Sequence, residues 1–505
     1  MSELLIYNSL TRQKEIFRPL HPPYVGLYVC GPTVSGESHL GHARPYITFD
    51  VVYRYLRHLG YQVRYVRNIT DAGHFEEEGR EAEDKIAKGA TLEKLEPMEL
   101  VQKYTRLFHW GMQQFNCLDP NIEPTATGHI IEQISMIEDI LAKGYAYVVN
   151  GSVYFDVVKY AAHYPYGQLS GRVLDELLTT TRELEGQEEK RNKADFALWK
   201  KAPPQHIMRW KSPWGEGFPG WHIECSAMST KYLGHPFDIH GGGMDLLFPH
   251  HECEIAQSTI AYGEPPVRYW MHNNMITING RKMGKSYNNV IKLTELFSGQ
   301  HPLLEQPYHP MVVRFYILQT HYRSTLDFSN EALQAAERGL QRLWEAFDIL
   351  QRMAAILPDG KNQEPTADTV APDSTEGKIQ RLCKDCREAM DDDFNTARVL
   401  ADLFELVPII NAAGHHQLGE QLSPATIHLL QHTFSLYVTE ILGLQPIKKQ
   451  DSRLVEALLE LLIDIRREAR LRKDFATSDR IRQQLQRIGI QLKDEKDGSV
   501  TYSFQ

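Results

Sequence analysis

YVCGPTVSGESHLGH, Tyr28 to His42, runs a short apolar strand into a glycine- and serine-rich loop that closes on two histidines with a glycine between them. In the stretch that follows, GHARPYITFDVVYRYLRHLG, residues Ile47, Val51, Val52, Tyr55, Leu56 and Leu59 recur at three- and four-residue steps. That period predicts an amphipathic helix, with Gly60 placed to end it. Next comes YQVRYVRNIT, rich in β-branched and aromatic residues, which predicts a second strand. Strand, loop, helix and strand make a βαβ unit, so the expected architecture is a parallel sheet of Rossmann type with ligands beyond the carboxyl ends of its strands. Cys30, His39 and His42 all fall at that edge.

The rest of the chain bounds what such a unit could serve. At 505 residues, 42% hydrophobic and 24% charged, it has the composition of a soluble globular protein of two to four domains. The N-terminus carries Glu3, Arg12, Lys14 and Glu15 in place of a signal peptide's apolar run, and no later run approaches the roughly 18 apolar residues of a membrane span. A cytoplasmic protein with no membrane partner is expected. Six cysteines, at 30, 117, 225, 253, 383 and 386, are too scattered for a disulfide scaffold and must be core filler, metal ligands or nucleophiles. A net charge of −10 argues against a basic nucleic-acid binder overall but leaves room for local basic faces. Ile465 to Arg487 is one, with eight Lys and Arg against three acids.

A second region, Gly220 to Gln257, repeats the nucleotide-site layout. PFDIH predicts a strand ending in Gly241, Gly242 and Gly243, glycines that let a backbone approach a ligand closely, and Pro249 suits the first turn of a following helix. The segment 129–217 between the halves, with strand-like runs such as SVYFDV and the polar stretch TTRELEGQEEKRNKAD, reads as an inserted module. From 326 the period turns helical, is broken by a loop-like composition over 358–377, and resumes through MDDDFNTARVLADLFELVPIINAAG. The expected division is a Rossmann catalytic domain in two halves, 1–128 and 218–275, an insert at 129–217, a lysine-loop and stem-contact region at 276–325, a helical bundle at 326–445 and a small C-terminal domain at 446–505.

His39-Leu40-Gly41-His42 puts two imidazoles at a helix N-terminus, where exposed N–H groups and the helix dipole favour phosphate charge. Four residues alone could equally be two exposed histidines at a helix start. Arg281-Lys282-Met283-Gly284-Lys285-Ser286 shifts that balance: after WMHNNMITING, which reads as an apolar strand, two lysines flank a short flexible turn able to close over a triphosphate. A lysine pair by itself is more often a solvated loop. A histidine pair after the first strand and a lysine loop after the last are a much rarer coincidence.

HLGH and KMGKS resemble the HIGH and KMSKS signatures of class I aminoacyl-tRNA synthetases. CGPTV, ARPYITFDVVYRYLRHLGY, RNITD, GWHIECSAM, DIHGGGMDLLFPHHECEIAQS, HYRSTLDFS and MDDDFNTARVL together resemble the cysteinyl-tRNA synthetase family over nearly the whole chain. The resemblance implies an enzyme that activates L-cysteine with ATP and Mg²⁺ and transfers it to tRNA(Cys), acting as a monomer, with the C-terminal domain on the anticodon. It implies one Zn²⁺ per chain on Cys30, Cys225, His250 and Glu254. Spacing is compatible, since His250 and Glu254 are i,i+4 on one helical face, but it places Cys253 near that face too. Singly, each cysteine would pass for core filler.

The family further implies Trp221, His240 and Thr70 around the amino acid, His39, His42, Gly241, Gly242, Asp245 and Lys285 around ATP, and His39, His42, Lys282 and Lys285 in catalysis. The metal would solve a selection problem: serine differs from cysteine by one atom, which shape rejects poorly, whereas Zn²⁺ favours a thiolate. Gly284 departs from the family pattern, standing where KMSKS has a serine. Cys383 and Cys386 read as structural, and His415 and His416 as solvated. Two other readings start from the same motifs. A ligase joining cysteine to an amino sugar lacks the extended region after 326, and a catalytically silent RNA-binding relative is disfavoured by intact HLGH and KMGKS.

Overall fold

A computed structural model describes residues 3–73, 85–179, 189–204, 206–284, 287–357, 371–418, 421–447, 452–472, 474–487, 490–494 and 500–504. Lys285, residues 180–188 of the polar stretch in the insert and most of the loop at 358–377 therefore lie outside the described residues. The chain divides into two compact units, Met1–Gln445 and Pro446–Gln505.

In the larger unit four parallel strands form the central sheet: β1 (Tyr24–Val29), β2 (Gln62–Arg67), β3 (Phe237–Gly243) and β4 (Val267–Asn273). β1 pairs with β2 on one side and β3 on the other, and β4 lies beyond β3. Strand order thus reverses between β1 and β3, which opens a crevice at their carboxyl ends. The helix α1 (Leu40–His58) carries the periodic residues Ile47, Val51, Val52, Tyr55 and Leu56 into the core, and Gly60 behind it adopts φ 89°, a left-handed value that favours glycine. Helices α2 (Trp221–Leu233) and α3 (Glu252–Tyr262) are buried over most of their length.

Two sequence expectations change, while β3 ends in its glycines as expected, at Gly243. There a Cβ on Gly241 would lie 2.4 Å from the Phe49 ring of α1, so this glycine permits close packing of helix on strand. WMHNNMITING is not one strand but the end of β4 plus Ile276–Ile278, which pairs antiparallel with Arg281–Lys282. Asn279 and Gly280, at φ 49° and 73°, make the two-residue turn between them, a hairpin signal in plain sight in the sequence. Pro249 does not open a regular helix either: backbone at Phe248 is extended, and the helix proper begins at Glu252.

Residues 129–217 open with a helix, Ile130–Ala142, followed by a five-stranded antiparallel sheet whose order is Ala146–Val149, Ser152–Phe155, Phe196–Lys201, Gly215–Pro219 and Trp210–Ser212. Glu252 at the start of α3 clasps this module, accepting from the backbone N–H groups of Gly167, Leu169 and Ser170 at 2.9, 3.2 and 2.9 Å. Long helices Asn330–Ala355, Thr375–Asp391 and Thr396–Gly414 follow. Cys383 and Cys386 are buried within the second, whose surroundings push their thiol pKa values up through burial. Asp393 of the MDDDF run is fully buried and fixes an N-terminal hairpin, Leu5–Asn8 with Gln13–Ile16, accepting from Tyr7 N–H, Tyr322 O–H and Arg323 Nε. The smaller unit contains helices Ser452–Leu471 and Phe475–Arg487 and a hairpin, Ile490–Asp494 with Val500–Phe504.

Candidate active site

Four short segments meet at the crevice. Cys30 follows β1, with its N–H on the Gly241 carbonyl at 3.1 Å; Cys225 is on α2; His250 precedes α3; Glu254 lies in its first turn. Their donor atoms all lie within 4.8 Å of one another, and every one of the four residues is buried. The two sulfurs are 3.8 Å apart, and His250 Nε2 is 3.1 Å from Glu254 Oε1. Two thiols, an imidazole and a carboxylate at such spacings fit a tetrahedral zinc, whose bonds of about 2.0–2.3 Å leave neighbouring donors a few ångströms apart.

The charges support one another. Burial raises the Glu254 carboxyl, but His240 and His250 overcome it and bring its pKa down to about 2. Burial likewise works against the Cys225 thiolate, yet the hydrogen bond from Cys30 and the nearby His250 lower it to about 7. Cys30 moves the opposite way, pushed well up by burial and then by Cys225.

Cys253 is elsewhere. It is in a hydrophobic cluster with Ile223, Ala227 and Ala256, its sulfur 3.8 Å from the Tyr166 hydroxyl. The spacing that could not separate positions 253 and 254 is resolved by which neighbours each faces. A second donor set appears that sequence reasoning missed: Cys30, His240, His251 and Glu254. Within it His251 Nε2 is 3.3 Å from Cys30 Sγ, and His251 Nδ1 is 2.8 Å from His272 Nε2. The adjacent histidines in PHHE were the available signal, and nothing local said that both turn inward.

Of the residues expected around an amino acid, Trp221 begins α2, partly exposed, with its ring centroid 4.5 Å from that of His250. His240 is fully buried, hydrogen-bonded to Glu254 Oε2 at 2.9 Å and stacked on Trp270. Thr70 donates to Glu224 at 2.8 Å and accepts from Asn68 Nδ2 at 3.1 Å, while Asn68 Oδ1 accepts from Gly31 N–H at 2.9 Å. Asn68 and Glu224 are further buried members that sequence did not single out.

His39 and His42 cap α1 reciprocally. His39 Nδ1 accepts from Gly41 N–H at 3.1 Å, His42 Nδ1 accepts from His39 N–H at 3.2 Å, and the rings stack at 3.8 Å. A ring nitrogen that accepts cannot carry the proton, so the neutral rings hold theirs on Nε2 and present donors. Burial, then His39, pushes His42 down to about 3, so His42 offers a neutral hydrogen bond and not a cation. Gly241 and Gly242 line the end of β3, and Asp245 is exposed in the turn beyond. Lys282 is exposed at the end of its hairpin, and Asn289 holds the following turn, accepting from Gly284 N–H at 2.8 Å and donating to the Lys282 carbonyl at 3.1 Å.

The comparisons agree with this geometry. The family model of the class I tRNA synthetase (C) catalytic domain matches residues 16–338, and that of the DALR domain matches 386–445. A cysteine–tRNA ligase of Bacteroides thetaiotaomicron is 57% identical over 503 residues, covering 98% of each chain. That of Porphyromonas gingivalis is 57% identical over 499 residues with the same coverage.

The chain belongs to the cysteine–tRNA ligase family.

The fold extends beyond this family: the methionyl-tRNA synthetase of Mycobacterium tuberculosis superposes with a TM-score of 0.58 at 14% identity, covering 83% of this chain and 92% of that one. The DALR match falls inside the helical region expected at 326–445, ahead of the separate compact unit that begins at Pro446.

Proposed function

We propose that this chain activates L-cysteine with ATP and passes it to tRNA(Cys), releasing pyrophosphate and AMP. The observation that carries the reading is the convergence of Cys30, Cys225, His250 and Glu254 beside the HLGH loop, in a chain whose full-length relatives are cysteine–tRNA ligases. In the first step a carboxylate oxygen of cysteine attacks the α-phosphorus, and the bond to the bridging oxygen breaks to free pyrophosphate. In the second, a hydroxyl of the terminal adenosine attacks the adenylate carbonyl and AMP leaves. Neither step asks for much acid–base chemistry; positioning and charge stabilisation carry both.

The four donors would hold one Zn²⁺, which would take the substrate sulfur as a thiolate and so discriminate against the far less acidic hydroxyl of serine. Trp221, His240 and Thr70 surround the bound amino acid. His39 and His42 donate through Nε2 to phosphate oxygens at the N-terminus of α1, with Gly241, Gly242 and Asp245 beside the adenosine. Lys282 and Lys285 offset the charge that gathers on the leaving pyrophosphate, and Mg²⁺ enters with ATP. The enzyme would act as a monomer, and its setting would be the cytoplasm. The basic helices after Pro446 serve the anticodon end of the tRNA.

The deciding measurement is ATP- and cysteine-dependent charging of purified tRNA, with a free amino sugar offered as competing acceptor. Charging of tRNA alone is expected. Transfer to the sugar with no charging would replace this reading with that of a sugar-linked ligase.

A further inference from the structure

We propose that Arg44 is a positioning residue for adenylate formation, holding the hairpin that carries Lys282 in register with the HLGH helix. The inference rests on the ATP-site reading of those two motifs. Arg44 lies in α1 two residues beyond His42 and is 1% exposed. Its Nη1 donates to the Met275 carbonyl at 2.6 Å, and its Nη2 donates to the carbonyls of His321, at 3.2 Å, and Ser324. These acceptors belong to two different segments. Met275 leads directly into Ile276–Ile278, the inner strand of the lysine hairpin, while the His321–Ser324 turn leads into Leu326–Phe328. The two strands pair in parallel, Ile276 with Leu326 and Ile278 with Phe328. One guanidinium thus grips both roots of the small sheet that carries Lys282.

The other end of the lysine loop is fastened differently. Leu40 N–H donates to the Ile291 carbonyl and Leu293 N–H to the Ser38 carbonyl, each at 2.9 Å, a backbone ladder directly on the HLGH segment. The far root is thus held by backbone bonds and by Glu37, which accepts from Thr294 N–H at 3.2 Å, whereas at the near root Arg44 supplies the side-chain link to α1. Burying a guanidinium against carbonyl dipoles is a costly way to hold a fold, since desolvation outweighs much of the gain. Burial lowers its pKa to about 10, which still leaves it charged. A planar fork is what the geometry demands: three carbonyls in two directions suit guanidinium and exceed what one ammonium can span.

The test separates the two half-reactions in the full-length, zinc-loaded enzyme. Arg44→Lys should lower cysteine-dependent ATP–pyrophosphate exchange about ten- to a hundredfold, as expected when a catalytic group is displaced by a fraction of an ångström to an ångström. The loss should fall on kcat, with zinc content and cysteine affinity kept. Transfer to tRNA from supplied cysteinyl-adenylate, which bypasses pyrophosphate departure, should stay near wild type. Arg54→Met is the control, because Arg54 pairs with Asp50 on the same helix and ties that helix to the Asn116 and Glu440 carbonyls, and among the described residues it has no hydrogen bond to the hairpin. It should lower the melting temperature without splitting the half-reactions.

Equal loss of both half-reactions in Arg44→Lys, or no loss in either, overturns the proposal. If Arg44→Lys does not fold, Arg44→Gln assayed with added guanidinium ion replaces it: recovery of exchange supports the positioning role, and failure to recover overturns it. Absence of cysteine-dependent exchange in the unmutated enzyme would instead overturn the functional reading beneath it.

Discussion

The Cys30 and Cys225 sulfurs lie 3.8 Å apart although 195 residues separate them in the chain. Each cysteine follows from its own element, one leaving β1 and the other in the second turn of α2, and the reversal of strand order between β1 and β3 brings those elements together. Cys225→Ser should therefore lose bound zinc and cysteine affinity together. Cys253→Ser, in the hydrophobic cluster, should keep both at a modest cost in stability of about 1 kcal/mol. Metal analysis of the two purified variants checks this, and zinc lost from the second but kept by the first would reverse the ligand assignment.

Asn289 is the buried brace of the lysine loop, joined to Gly284 N–H and the Lys282 carbonyl. Asn289→Ala removes a donor and an acceptor at once, so pyrophosphate exchange should fall several-fold with little change in cysteine KM. Lys285→Ala should be more severe and also fall chiefly on kcat, because its charge is needed most as pyrophosphate departs. Steady-state exchange kinetics on both variants decide the matter. Unchanged exchange in Lys285→Ala would remove the loop from the mechanism.

His42 gives a pH prediction with a definite sign. Burial and His39 hold its folded pKa at about 3, whereas an unfolded histidine titrates near 6.5. Between those values the unfolded chain binds more protons, so this residue's contribution to stability is complete above about pH 6.5 and is lost as pH falls below it. His42→Asn should accordingly show a smaller drop in melting temperature between pH 7 and pH 5 than the unmutated protein. An equal drop would place the acid sensitivity elsewhere.

The unit Pro446–Gln505 is compact by itself, which makes its removal a clean experiment. Truncation after Lys449 should spare adenylate formation and strongly impair tRNA charging, with the loss expressed mainly in the KM for tRNA. Normal charging by the truncated chain would refute the anticodon assignment.

Local pattern determined a great deal here. The period of Ile47, Val51, Tyr55 and Leu56 dictates α1, β-branched and aromatic residues mark β2, and HLGH and KMGKS suggest a nucleotide site because their chemistry sits in contiguous residues. The family, too, was legible in motifs such as GWHIEC and PHHECE. Tertiary structure decided what spacing leaves open. Positions 253 and 254 are neighbours on one helix, and only the packing of α3 turns Glu254 toward Cys30 and Cys225 and Cys253 into an apolar cluster. Gly241 serves a phenyl ring of α1 across the sheet, and Arg44, an unremarked arginine in the sequence, reaches carbonyls more than 200 positions away. The physical reason is common to all three. Hydrogen-bond direction and hydrophobic period act over a few residues and can be read from them, whereas which side chains share a dry, charge-balanced space depends on how separate elements pack.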